Sequence, residues 1–150
     1  MSALYIGLIV LAVAIVLGLA FYAAQLLLQV KKQNDAKQDA RNKRIESMQS
    51  SIQTIAFAMQ QQQCDYSEGS IRICRLLQAL PLEPLPDYSL QFPATHALFE
   101  KVRNYPTHEA RAALSKLERR KQDKEREQYE SEWESKILAE TQALRDFHAI

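Results

Sequence analysis

An all-α fold, with one N-terminal transmembrane helix continuing into a cytoplasmic helical domain that ends in a long C-terminal helix, is what three features of this 150-residue chain predict. No charged side chain occurs from Met1 to Val30, and every charge follows from Lys31 onward. Glycine and proline are scarce, at three and five in the whole chain. Beyond position 44 the apolar residues recur at spacings of three and four, the period of a helix, and no segment alternates as a strand would.

Residues 1–30 read as a transmembrane anchor. About 20 apolar residues cross the ~30 Å hydrocarbon core as a helix, and Ala3 to Leu28 offers more than that. A cleaved secretory signal fits poorly. It needs a basic leader, an apolar stretch of about 7–15 residues and an Ala-x-Ala-like site behind it, whereas Ala12-Val13-Ala14 lies in mid-span with Ile15 and Val16 following. Tyr5 and Tyr22 stand near the two ends, where amphipathic rings favour the headgroup level. Ala3, Gly7, Ala14 and Gly18 share one helical face, and small residues spaced this way let two backbones approach as a parallel homodimer.

The basic juxtamembrane segment 31–44 sets the expected orientation. It carries Lys31, Lys32, Lys37, Arg41, Lys43 and Arg44 against Asp35 and Asp39, and basic residues flanking a span stay on the cytoplasmic side. The N-terminus is therefore expected on the outer side of the membrane and the C-terminal domain in the cytoplasm. The same six residues form a candidate lipid flank, each worth ~1 kcal/mol near an anionic surface; a stop-transfer flank without lipid selectivity is the simpler reading.

A helical domain is expected over residues 45–117. Ile45, Met48, Ile52, Ile55 and Met59 make an a/d seam about two heptads long, too short for a coiled coil, so it is expected to pack on its own domain. Gln60 to Gln63 break the pattern. Asp65, with Glu68 three residues on, fits a capping box for the next helix, and Ser67 is an alternative cap. That helix presents Ile73, Leu76, Leu77 and Leu80 on one face before Pro81 stops it. Pro81, Pro84, Pro86 and Pro93 define an extended linker over 81–93. A short helix about Ala94 to Asn104 turns Leu98, Phe99 and Val102 inward, Tyr105-Pro106 ends it, and Thr107 caps a last helix without Gly or Pro through Ile150.

Along that last helix Ala110, Ala113, Leu114 and Leu117 form a stripe expected to be buried. The segment 118–150 then opens with Glu118 to Gln128, which has no apolar side chain and is expected to be solvated all round, supported by pairs four apart such as Arg119/Asp123, Lys121/Glu125 and Arg126/Glu130. Trp133, Ile137, Leu144 and Phe147 restore an apolar face. They have two destinations, the Ile45 to Met59 seam or another chain. Forty helical residues reach roughly 65 Å, so the tail is expected to outrun its domain and to be the partner-binding surface. Truncation after Gln128 is then expected to leave residues 31–128 folded.

Signatures of chemistry are thin. His108-Glu109 begins like a zinc-protease helix, but the second His would fall at position 112, which is Ala. His96 and Glu100 lie one turn apart, and two ligands do not make a metal site. Cys64 and Cys74 lack the short spacing of zinc or redox pairs and are expected as reduced thiols. No phosphate loop can be built from Gly7, Gly18 and Gly69, and no Ser sits in a nucleophile elbow. Lys116 to Arg126 holds six bases against three acids, but four acids follow by Glu134, so the charges interleave as on a solvated helix. No catalytic residue, metal, cofactor or nucleic-acid partner is expected.

The N-terminal span, the run Cys64-Asp65-Tyr66-Ser67-Glu68-Gly69-Ser70-Ile71-Arg72-Ile73, the run Tyr105-Pro106-Thr107-His108-Glu109-Ala110-Arg111 and the run Lys121-Gln122-Asp123-Lys124-Glu125-Arg126-Glu127 together resemble an uncharacterised family of bacterial single-span membrane proteins, a domain of unknown function. The resemblance covers the span to about Leu144. It implies a single-pass protein of the bacterial inner membrane, the outer side being then the periplasm, and brings no activity with it. The expected role is a membrane-tethered helical adaptor or scaffold, touching membrane lipid and a protein partner or a second copy. Two alternatives are a small membrane-associated enzyme using Ser67, Glu68, Arg72 and His108, and a lipid-surface sensor acting through segment 31–44.

Overall fold

The computed structural model describes residues 2–106 and 108–149, with the backbone alone at Ser2 and His108. Among the described residues there are six helices and no strand: α1 (Ser2–Gln60), α2 (Tyr66–Gln78), α3 (Tyr88–Gln91), α4 (Pro93–Val102), α5 (His108–Ala112) and α6 (Lys116–Arg145). The chain divides into two compact units, residues 1–43 and 44–150, and α1 contributes to both.

The first unit is helix throughout its described length, as an uninterrupted run without Pro permits. It holds the one helical stretch among the described residues that is long and apolar enough to cross a membrane, with its apolar side chains outward. Gly7 and Gly18 have open space beside them.

The second unit is built on four apolar faces. From α1 come Ile45, Ile52, Ala56 and Met59; from α2, Ile73 and Leu77, with Leu80 just beyond its end; from α4, Ala94, Leu98 and Val102; from α6, Ile137 and Leu144, followed by Phe147. The seam in α1 therefore packs on its own domain, with Met48 and Ile55 half-buried at its sides. α1 ends as a Schellman motif: Gln62 adopts φ 56°, its N–H donates to the Met59 carbonyl, and the Gln63 N–H donates to the Ala58 carbonyl. Gln60 to Gln63 break the helix through this left-handed turn, made without the glycine that usually takes it. Where α1 and α2 touch, Gly69 makes room for the buried Met59 side chain, which a methyl group there would force to move.

Several element boundaries differ from expectation. The Pro-rich stretch is not wholly extended, since α3 forms inside it with the Asp87 carboxylate accepting from the Ser89 N–H at 3.0 Å. Pro93 belongs to the first turn of α4, where its fixed φ and missing N–H do no harm. Tyr88 and Phe92 turn inward to meet Phe147 edge-on at 5.6 and 6.3 Å. The last helix is broken: α5 stops at Ala112 and α6 starts afresh behind Ser115, whose hydroxyl accepts from the Glu118 N–H while the Glu118 carboxylate accepts from the Ser115 N–H. This Ser-x-x-Glu capping box stands in the sequence without any Gly or Pro to advertise it. The Ala110 to Leu117 stripe is not buried; Ala110, Ala113 and Leu117 are exposed, because the break removes the helical register that would align them.

Candidate functional site

Three of the four apolar residues of the tail lie in the core of their own domain and the fourth packs against it, which corrects the expectation that they form a partner-binding surface. Ile137, Leu144 and Phe147 are buried, and Trp133 is half-buried against the same core with the Lys136 ammonium 4.8 Å from its ring centroid. Glutamines on α1 fasten the tail there. Gln53 Nε2 donates to the Phe147 carbonyl at 2.9 Å, Gln49 Oε1 accepts from the Ala149 N–H at 3.0 Å, and Gln60 Oε1 accepts from Arg145 at 2.9 Å. The expected reach of a forty-residue helix fails because α6 starts only at Lys116 and doubles back onto the seam.

The caps are also redistributed. Asp65 is the N-cap residue of α2, but its side chain makes no capping hydrogen bond. The Ser67 N–H instead donates to Glu130 Oε1 on α6 at 3.1 Å, and Glu68 pairs with Arg72 at 2.6 Å. α4 is capped in the same way: Glu140 accepts from the Ala94 N–H at 2.7 Å, the Thr95 N–H at 2.8 Å and the Thr95 hydroxyl at 2.7 Å. A carboxylate at a helix N-terminus satisfies unpaired amides and meets the positive end of the dipole. Thr107 lies outside the described residues.

Turned away from the core, α2 presents Ser67, Glu68, Ile71, Arg72 and Arg75 on one face, at helical spacing. This face walls a cleft of about 550 Å³, closed by Val102 and Arg103 at the end of α4, by Tyr105 and Pro106, by Arg111 of α5, and by Gln122, Asp123 and Arg126 of α6. Five of the chain's ten arginines line it and none of its nine lysines, against two carboxylates. Arg111 and Arg126 flank Asp123 at 2.7 and 3.6 Å, and Asp123 is taken by them instead of forming the expected pair with Arg119. Arg103 reaches Glu100 at 3.0 Å. The Arg111 hydrogen bond holds the Asp123 carboxyl below its usual range, which keeps it ionised and suits it to charge pairing more than to proton transfer. Ser67 is buried with its hydroxyl unpartnered, as is Gln122 Oε1.

The structure brings Ser67, Glu68 and Arg72 together in this cleft, while the side chain of His108 lies outside the described residues. Arg75, Arg103, Arg111 and Arg126 were not legible as site residues. Read along the chain, their charges interleave with acids; the signal present is the use of Arg in place of Lys, the residue of choice for planar oxyanions. One face of Glu118 to Gln128 is consequently sheltered, at Arg119, Gln122, Asp123, Glu125 and Arg126. The six residues of the lipid flank, Lys31, Lys32, Lys37, Arg41, Lys43 and Arg44, are all exposed. His96 and Glu100 are engaged separately, His96 Nδ1 3.1 Å from the Phe92 carbonyl and Glu100 with Arg103. Both cysteines are free thiols; burial pushes Cys64 up and Cys74 up to about 12.

Fold and site together define an all-α protein with one apolar N-terminal helix and a helical unit carrying an arginine-lined cleft. The chain belongs to the family described as protein of unknown function (DUF2489), which matches residues 16–144. It is similar to an uncharacterized protein of Haemophilus influenzae, 38% identical over 135 residues that cover 90% of this chain and 89% of that one. No solved structure matches it.

Proposed function

We propose that this protein is a membrane-tethered helical adaptor of the bacterial inner membrane whose binding surface is the arginine-lined cleft. The cleft itself carries the reading: five guanidinium groups over two carboxylates, in a volume typical of ligand sites, favour capture of an anion. The apolar tail no longer competes for this role, being consumed by the core. The uncharged span and the six flanking bases support single-pass insertion with the C-terminal side in the cytoplasm. A reporter active only in the periplasm, fused after Ile150, is expected to be silent; activity there would reverse the orientation.

For the cleft, the test is thermal unfolding of the full chain in mild detergent with sulfate, citrate or pyrophosphate at ionic strength matched to chloride. At least one of these anions is expected to raise the melting temperature, and the double variant Arg72→Glu/Arg75→Glu to lose the effect. If none exceeds chloride, the cleft is not the binding surface. A ligand recovered chemically altered would favour the enzyme alternative through Ser67, Glu68, Arg72 and His108.

A further inference from the structure

We propose that the cleft receives the phosphoryl group of a small phosphorylated ligand, with Arg72, Arg75 and Arg103 as its principal donors. This deepens the reading of the cleft as the binding surface and rests on it. Glu68 pairs with Arg72 and Glu100 with Arg103 through one contact each, and Asp123 takes both Arg111 and Arg126. The lining offers donors beyond those pairs. Arg75 has no carboxylate partner within ion-pair distance among the described residues, and five arginines against Glu68, Asp123 and the Glu100 that pairs with Arg103 leave two positive charges over. A phosphoryl group brings nearly two negative charges and three acceptor oxygens, which matches that surplus.

Three further features point the same way. Ser67 is only 4% exposed and its hydroxyl has no partner, yet it lines the cleft in the first turn of α2, while its N–H is already taken by Glu130. The pairs an anion would have to open are weak ones: Arg72 and Glu68 have side chains 60% and 55% exposed, and exposed pairs are readily exchanged. Ile71, Val102, Tyr105 and Pro106 give the cleft an apolar portion, and its volume of about 550 Å³ leaves room for the organic part of a ligand beside its phosphate.

The test is isothermal titration of the full chain in nanodiscs with inorganic pyrophosphate, and with citrate as a carboxylate control. Pyrophosphate is expected to bind and citrate to bind more weakly. Arg75→Gln and Arg103→Gln are each expected to weaken pyrophosphate about tenfold. Arg75→Lys, which keeps the charge without the fork, should fall between, and Lys121→Gln, outside the cleft, should match the parent chain. Circular dichroism checks that each variant is folded. Equal affinity in phosphatidylcholine discs and in discs containing phosphatidic acid assigns a soluble phosphorylated ligand; competition by phosphatidic acid, whose monoester carries the same phosphoryl group, assigns a lipid headgroup as its source. Absence of pyrophosphate binding, or binding indifferent to both Arg75→Gln and Arg103→Gln, overturns the proposal. Citrate binding as tightly as pyrophosphate also overturns it, while leaving the cleft an anion site.

Discussion

Cys74 lies fully buried on α2, its Sγ 3.9 Å from the Thr95 carbonyl on α4, and desolvation pushes its pKa up to about 12. The nucleophile is the thiolate, so the residue should be inert in the folded chain. Maleimide at pH 8 is expected to modify Cys64, which is half-exposed, and to reach Cys74 only in denaturant; equal rates at both sites, read by mass spectrometry, would contradict the packing. The sign of the pH dependence follows from the raised value. Below the ordinary value of 9.0 the thiol is protonated folded or unfolded, and its contribution is fully present. Between 9.0 and about 12 the unfolded chain loses the proton first, so that contribution is lost as pH rises. Neither consequence is visible in the sequence, where Cys64 and Cys74 differ only in position.

Two helices of the second unit begin on carboxylates borrowed from a third. The Asp65 side chain accepts no capping bond, whereas Glu130 serves α2 and Glu140 serves α4 from positions ten residues apart on α6. Asp65→Ala is therefore expected to shift stability by no more than about 0.5 kcal/mol. Glu140→Ala, which orphans two backbone amides and the Thr95 hydroxyl, is expected to destabilise by roughly 1.5–3 kcal/mol. Parallel urea melts of the two variants decide the matter, and equal losses would return the cap to Asp65. The cap made by Ser115 with Glu118 is local, three positions apart, yet the absence of Gly or Pro beside it lets the segment read as one continuous helix. A cap supplied from 46 positions away, as Glu140 supplies Ala94, has no local signature.

Across the second unit, α6 is as much a part of the core as α1, α2 and α4. Burying Ile137, Leu144 or Phe147 is worth ~1.5–3 kcal/mol apiece, and losing all three approaches the ~5–15 kcal/mol that holds a domain folded. Truncation after Gln128 removes them together with Glu130 and Glu140. The truncated chain is expected to lose the helical signal and cooperative unfolding of residues 44–128. A truncated chain that stays folded by circular dichroism would show the stripe to be dispensable.

The amino-acid order by itself determined the helical class, the uncharged span with its basic flank, the inward faces of α1, α2 and α4, and the break at Gln60 to Gln63. Each is a local matter of period, composition or turn chemistry, resolved within one or two dozen residues. It also marked Trp133, Ile137, Leu144 and Phe147 as a face that must be covered, without saying by what. Only the tertiary structure decided that the cover is the domain's own core, that α6 lends its carboxylates to α2 and α4, and that Arg72, Arg75, Arg103, Arg111 and Arg126 meet around one cleft. The reason is physical: burial and charge are properties of neighbours in space, and these arginines, spread over 55 positions of the chain, become neighbours only when the helices pack.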